Sequence, residues 1–292
     1  MSHGYKPIVP ASPAFRPDGT LYSEQFDDVY ASAHGSLEQA RHVFLNGNNL
    51  PERWRSPGPF VIIETGFGAG LNFLATWQLW KQTAPADARL DFISVEKHPF
   101  SLADLQRIHA AFPELAPLAR QLHENWPTLL PGFHRLHFEG GRLNLTLLLG
   151  EAAESLAQLE ASADAFFLDG FAPARNPAMW TKPVFRELAR LAKPGATFAT
   201  YTVASSVREG LGAAGFAVEK RQGFIGKREM LAGRYAGSRA YAKNIHDKRA
   251  IVVGAGLAGS TCAQRLNQRG WAVQVIEGHT APAQEASGNP AG

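Results

Sequence analysis

The chain has 292 residues, of which 45% are hydrophobic and 19% charged, with a net charge of +3; that balance belongs to an ordinary globular protein and excludes a disordered or fibrous one. No run approaches the ~20 apolar residues needed to span a bilayer, and the opening Met1-Ser2-His3-Gly4-Tyr5-Lys6-Pro7 has no apolar core to act as a secretion signal, so a cytoplasmic location and no membrane partner are expected. A single cysteine, Cys262, excludes a disulfide framework and a thiolate zinc site, and the ten histidines lack ligand spacing; His134 and His137 come nearest and read as surface side chains, so no metal is expected.

Residues 1–59 are rich in Pro and Gly, with a polar-aromatic piece Phe26-Asp27-Asp28-Val29-Tyr30 and a possible helix from Ser36 to Phe44, and they read as an extension packed on the main domain. From residue 60 strands and helices alternate, which is the sign of a parallel sheet covered on both faces. The expected strands are 60–64, 90–96, 143–149, 165–168 and 197–202, followed by a closing pair at 216–221 and 228–234. Helices are expected at 71–81, at about 178–193 with its stop at Pro194-Gly195, and at 206–214. An α/β domain over 60–235, with seven strands ending in a hairpin-like pair, has the Rossmann-like layout of class I methyltransferases.

The turn Thr65-Gly66-Phe67-Gly68-Ala69-Gly70 lets the backbone bend sharply and approach a ligand, and the helix that follows offers its first N–H groups to ligand oxygens. A dinucleotide fingerprint needs Gly or Ala at position 71, where this chain has Leu71, so Glu64-x-Gly66-x-Gly68-x-Gly70 suits a methionine tail and ribose better than a pyrophosphate. Glu96 closes the second strand, where an acid can accept ribose hydroxyls, and Gly150-Glu151 ends the third, where a carboxylate can meet an adenine amino group. Singly, each acid is as well explained by a surface salt bridge. Together these residues, with Phe67, Asn72 and Lys97, form the candidate cofactor-binding set.

Asp169-Gly170-Phe171-Ala172-Pro173 ends the fourth strand. Methyl transfer from a sulfonium to an amine needs an in-line acceptor with its nitrogen unprotonated, and Asp169 can orient that amine and take its proton. Phe171 and Tyr30 are candidates for stacking on a base, with core packing the alternative; Trp180 reads as core. Nine Lys or Arg (220, 221, 227, 228, 234, 239, 243, 248, 249) face two acids (229, 247) between 220 and 249, which suits either a phosphate-tracking patch or a basic interdomain linker at 236–248.

Four segments carry a resemblance: 26–30, Glu64 to Leu74, Phe167 to Trp180 with its Asp169-Gly170-Phe171-Ala172-Pro173-Ala174-Arg175-Asn176-Pro177 run, and Gly226-Lys227-Arg228-Glu229-Met230-Leu231. They closely resemble the family of bifunctional tRNA 5-methylaminomethyl-2-thiouridine biosynthesis proteins (MnmC), from about Tyr22 to the last residue. The resemblance implies an S-adenosylmethionine-dependent enzyme that methylates the 5-aminomethyl group of the wobble uridine of tRNA, with Asp169 as the proton-accepting carboxylate. It also makes Pro173 a substrate-side candidate and Lys227 and Arg228 candidates for gripping anticodon-loop phosphates.

A second glycine turn, Gly254-Ala255-Gly256-Leu257-Ala258-Gly259, follows the strand 251–253 and leads to Glu277 about 20 residues on, which is the full dinucleotide spacing. The resemblance makes 249–292 the opening unit of an FAD-dependent oxidase that removes a carboxymethyl group from the modified uridine. One strand-helix-strand unit cannot by itself build an isoalloxazine site, so FAD binding and oxidase activity are not expected of this chain. Two other readings stay open: a small-molecule amine methyltransferase, and a nucleotide-binding module without catalysis.

Overall fold

The computed structural model describes residues 7–31, 35–55, 58–225, 228–238 and 248–288. Its main sheet is built from runs of apolar residues that serve both faces at once. In β1 (Pro59–Thr65) Ile62 and Ile63 are both fully buried, yet they belong to different hydrophobic clusters, because successive side chains on a strand point to opposite faces. The same alternation places Phe167 in one cluster and Phe166 in the other along β5 (Ala163–Leu168).

Between them in the chain come β2 (Arg89–Glu96), β3 (Gly132–Phe138) and β4 (Leu143–Leu149), and after them β6 (Ala192–Thr200), β7 (Phe216–Gln222) and β8 (Glu229–Tyr235). The sheet order is β7-β8-β6-β5-β1-β2-β4-β3, parallel from β6 through β4 and antiparallel at both edges. All seven expected strands are present. The eighth, β3, is not among them; its adjacent His134 and Arg135 break the alternation, and Phe133 stays 48% exposed, as an edge strand allows.

Helix α1 (Leu71–Thr83) crosses from β1 to β2, and α2 (Leu102–His109) and α3 (Ala116–Glu124) precede β3; α4 (Ala152–Ala157), α5 (Lys182–Leu191) and α6 (Ser205–Ala213) complete the crossovers. The long helix expected over 178–193 is instead a short 3₁₀ turn, Pro177–Trp180, followed by α5. Pro183 explains the new start, since proline fits the first turn of a helix, where its missing N–H has no partner to lose. Pro194-Gly195 does not stop that helix. It falls inside β6, where the register with β5 shifts between Ala163 and Ala165.

The N-terminal residues do pack on this domain. Ala11, Leu21, Leu37, Leu50 and Trp54 are buried in the same cluster as α1. Three short strands, Ala14–Phe15, Leu21–Ser23 and Asp28–Ala31, form a separate antiparallel sheet, and helical turns occupy Ser36–Gln39 and Ala40–Leu45, the second of them a π-helix.

The chain divides into two compact units, the first holding the described residues up to 238 apart from the turn at 139–142, the second those from 248. In the second, β9 (Arg249–Val253) and β10 (Ala272–Ile276) pair in parallel around α7 (Leu257–Gln268), and no described residue of these elements is buried. Among the described residues no helix is long and apolar enough to cross a membrane.

Candidate active site

β1 is where the chain reverses its direction of travel across the sheet, running next to β2 on one side and later to β5 on the other. Strand ends diverge at such a point, and a crevice opens beyond their carboxyl termini. Here it is a cavity of about 470 Å³. Gly66, Phe67, Gly68, Asn72, Glu96, Lys97, Gly150, Glu151 and Asp169 all line it, and so do Tyr30 and Phe171. Residues from five separate segments thus meet on one rim.

The first glycine turn has its conformation for identifiable reasons. Gly66 has φ of +81°, and a Cβ there would stand 3.2 Å from the Asp169 carbonyl oxygen and from the Gly170 Cα. Gly68, at φ +52°, faces open space, with only Tyr30 within 4 Å. Gly70 does not line the cavity; at φ +71° it caps α1, and a Cβ would collide with the Phe67 ring at 2.6 Å. The first two contacts show a backbone free to meet a ligand at 68 and locked to the Asp169 turn at 66.

Glu96 is held open on the rim: Oε2 accepts from the Gly68 N–H at 2.9 Å and Oε1 from the His98 N–H at 2.7 Å. Its position at the end of β2 suits two adjacent hydroxyls. Glu151 pairs with Lys97 at 2.5 Å, both about half exposed, so this ion pair lies on the wall of the cavity. Exposed pairs of this kind contribute little to stability and rearrange readily around a ligand.

Asp169 is fixed at both carboxylate oxygens. Oδ1 accepts from the Gly170 N–H at 2.8 Å and Oδ2 from the Asn72 amide at 2.8 Å, while its own carbonyl accepts from the Thr65 hydroxyl at 2.8 Å. Glu64 does not line the cavity. Its carboxyl is fully buried below, accepting from Asn72 at 2.9 Å and from Ser94 at 2.6 Å. Burial, followed by the nearness of Asp169 and Glu96, pushes the Glu64 carboxyl well above the usual carboxylate range despite the opposing hydrogen bonds.

Opposite these groups stands an aromatic wall. Phe26 stacks on Phe171 at 4.6 Å, and Tyr30 meets the edge of Phe171 at 4.7 Å. Burial, with a smaller push from Glu96, raises the Tyr30 phenol to about 12, so it stays protonated at neutral pH. Tyr201, raised by burial and by Asp169 and Asp28, donates to the Gly170 carbonyl. Asp28 accepts from the Ala172 N–H at 2.8 Å and so ties the N-terminal strand to the turn after Asp169. Trp180 is buried and donates to the Phe171 carbonyl at 2.9 Å, in keeping with its reading as core.

Sequence reasoning missed Phe26, Asp28, His98 and Tyr201, all of which line the cavity. Phe26 and Asp28 lay in a quoted segment without a role; nothing in a single sequence marks His98 or Tyr201. Pro173 and Arg228 do not line the cavity. Arg228 is exposed at the start of the β7–β8 pair, and Lys227 lies outside the described residues, as do most of residues 236–248.

Comparison with known proteins places these observations. The family model described as S-adenosyl-L-methionine-dependent methyltransferase matches residues 113–236, and that described as FAD dependent oxidoreductase matches 249–292. A protein of Azoarcus sp. named tRNA 5-methylaminomethyl-2-thiouridine biosynthesis bifunctional protein MnmC is 56% identical over 287 residues, covering 98% of this chain and 45% of the relative. Over nearly its whole length the chain resembles the MnmC proteins. A namesake from Thiobacillus denitrificans is 54% identical over 97% of this chain and 46% of its own length. The chain thus spans a little under half the length of the curated MnmC relatives it matches. In fold it is similar to the crystal structure of MNMC2 from Aquifex aeolicus, with a TM-score of 0.62, 24% identity, and coverage of 79% of this chain and 71% of that one.

Proposed function

We propose that the first unit is an S-adenosylmethionine-dependent methyltransferase acting on transfer RNA. It converts the 5-aminomethyl group of the wobble (2-thio)uridine to 5-methylaminomethyl-(2-thio)uridine. The observation that carries this reading is the convergence of Asp169 with the glycine turn, Glu96 and Glu151 on one cavity that an aromatic wall closes from the other side. Glu96 would hold the ribose hydroxyls, Glu151 the adenine amine, and Gly66 to Gly68 the methionine end. When bound, S-adenosylmethionine supplies a methyl carbon made electrophilic by a sulfonium. Asp169 would orient the acceptor amine in line with that methyl and take the proton that the nitrogen must lose on methylation. Phe171 and Tyr30 offer faces for the uracil ring, which is easily splayed out of a single-stranded loop. Arg228 and Lys227 are the candidates for anticodon-loop phosphates, and a tRNA substrate carries with it a cytoplasmic location.

The second unit, joined through residues 236–248, reads as an FAD-binding turn, the part that in the full-length family serves removal of the carboxymethyl group from 5-carboxymethylaminomethyl-uridine. Its turn has the closeness such a ligand needs: a Cβ at Gly259 would lie 1.9 Å from the Gly254 carbonyl oxygen, and Gly254 has φ of +94°. Glu277 accepts from the Ala255 N–H at 2.6 Å, so its carboxylate lies over the turn where a ribose would sit. Gly254, Gly256, Gly259 and Glu277 would hold the nucleotide.

Incubation with labelled S-adenosylmethionine and tRNA lacking the final methyl, followed by digestion, should place label in the wobble nucleoside. Asp169→Asn should reduce that transfer by about 10²- to 10⁴-fold, the usual worth of a positioned base, with S-adenosylmethionine affinity retained. Label at another nucleoside, or a fully active Asp169→Asn protein, would sink the assignment.

A further inference from the structure

Asn72 stands on the first turn of α1, 8% exposed, between two acids that come from different strands. Its single amide nitrogen donates to Glu64 Oε1 at 2.9 Å and to Asp169 Oδ2 at 2.8 Å, which uses both of its hydrogens. Glu64 in turn takes its second bond from Ser94 Oγ on β2, at 2.6 Å. An amide nitrogen with one hydrogen bonded can swing about the last side-chain torsion; one with both hydrogens bonded is held in its plane.

We propose that Asn72 is a positioning residue for methyl transfer, one that fixes the Asp169 carboxylate toward the amine by anchoring it, through Glu64, to the floor of the sheet. The proposal rests on the reading of Asp169 as proton acceptor. Asp169 faces the cavity from the end of β5, where the chain leaves the sheet through Gly170, a residue of φ +136°. Its Oδ1 contact is with its own neighbouring N–H, which moves with the turn. The Asn72 bond refers the carboxylate to α1 and, through Glu64, to β1. The arrangement also divides the labour between the two acids. Glu64 is sealed from solvent and faces Asp169 and Glu96, so one carboxyl of the group is better kept neutral. Burial favours the neutral form more at the anchor, Glu64, than at the rim.

The test measures kcat, KM for tRNA, and calorimetric affinity for S-adenosylmethionine in four variants. Asn72→Ala, with Asn72→Ser as the second variant should the first not fold, should lower kcat on the order of 10²-fold, the cost of a misplaced reacting group. S-adenosylmethionine affinity and KM should change by no more than a fewfold, because Asn72, although counted by sequence among the cofactor-binding residues, spends both amide hydrogens on the two acids. Glu64→Leu should reproduce the kcat loss through Asn72, and Glu64→Gln, which can still accept from Asn72 and donate to Ser94, should recover most of it. The kcat–pH profile of Asn72→Ala should differ from the wild type's at its acidic limb, where the proton acceptor must be charged. Unchanged kcat in a folded Asn72 variant, or a loss confined to S-adenosylmethionine affinity, overturns the proposal. Wild-type transfer to the wobble nucleoside with such a result would leave the assigned activity standing, whereas no wild-type transfer would remove the activity itself.

Discussion

His109 shows how a single buried side chain can report on the first glycine turn. Its Nε2 lies 2.7 Å from the Ala69 carbonyl oxygen, inside the glycine turn, and its Nδ1 lies 2.8 Å from Nε2 of His123 on α3. With a proton on Nε2 to donate to Ala69, Nδ1 must accept, and His123 must donate to it. Burial, joined by repulsion from His123 and opposed by the Ala69 bond, pulls His109 down to about 4 from 6.5. The unfolded chain therefore binds one more proton than the folded chain between these values. Stability contributed by neutral His109 is complete above about pH 6.5 and is lost as pH falls toward 4, by on the order of 3 kcal/mol in all. Urea unfolding at pH 7.5 and 5 should show that decline, and His109→Gln should flatten it. An unchanged slope in the variant would show that the decline comes from other groups.

At the scale of elements, the β1–α1 turn and the turn after β5 are locked together. Gly66→Ala places a Cβ against the Asp169 carbonyl oxygen and the Gly170 Cα while forcing a left-handed conformation that costs about 1–2 kcal/mol. The expected result is a lower melting temperature together with weaker methyl transfer, since the displaced residue is Asp169 itself. A variant as stable and active as the wild type would mean that the two turns move independently.

The central strands that sequence reasoning located are rich in apolar residues because both faces are buried, as in Phe60 to Ile63. β3 escaped because His134 and Arg135 fall side by side and break its apolar pattern. The 178–193 helix was drawn too long because its apolar residues continue at helical spacing through Trp180 while Pro183 resets the start. Glycines and acids at strand ends were legible because their positions follow from topology. The partners of those acids were not: Asn72 reaches Asp169 across 97 residues and Asp28 reaches Ala172 across 144, and such pairings exist only once the chain is folded.

For the molecule as a whole, the two units differ in how much they bury. The first has a sheet covered on both faces by two hydrophobic clusters, whereas in the second Ile251 is 65% exposed, Val253 82% and Leu257 73%. Elements without buried apolar side chains open locally at little cost. Amide hydrogen exchange should be fast throughout β9, α7 and β10 and slow in β1, β2, β4 and β5. Equal protection in the two units would show that the second is covered in solution by something further.

The division within the cavity has a consequence for changing what the enzyme accepts. The groups assigned to the methyl donor come from the ends of β1, β2 and β4, while Phe26, Asp28 and Tyr30 of the opposing wall belong to a small sheet laid down before the main one begins. Grafting a different 7–31 segment onto an intact 35–238 body should therefore retarget the acceptor without redesigning the donor half, provided the graft keeps a carboxylate to cap the Ala172 amide.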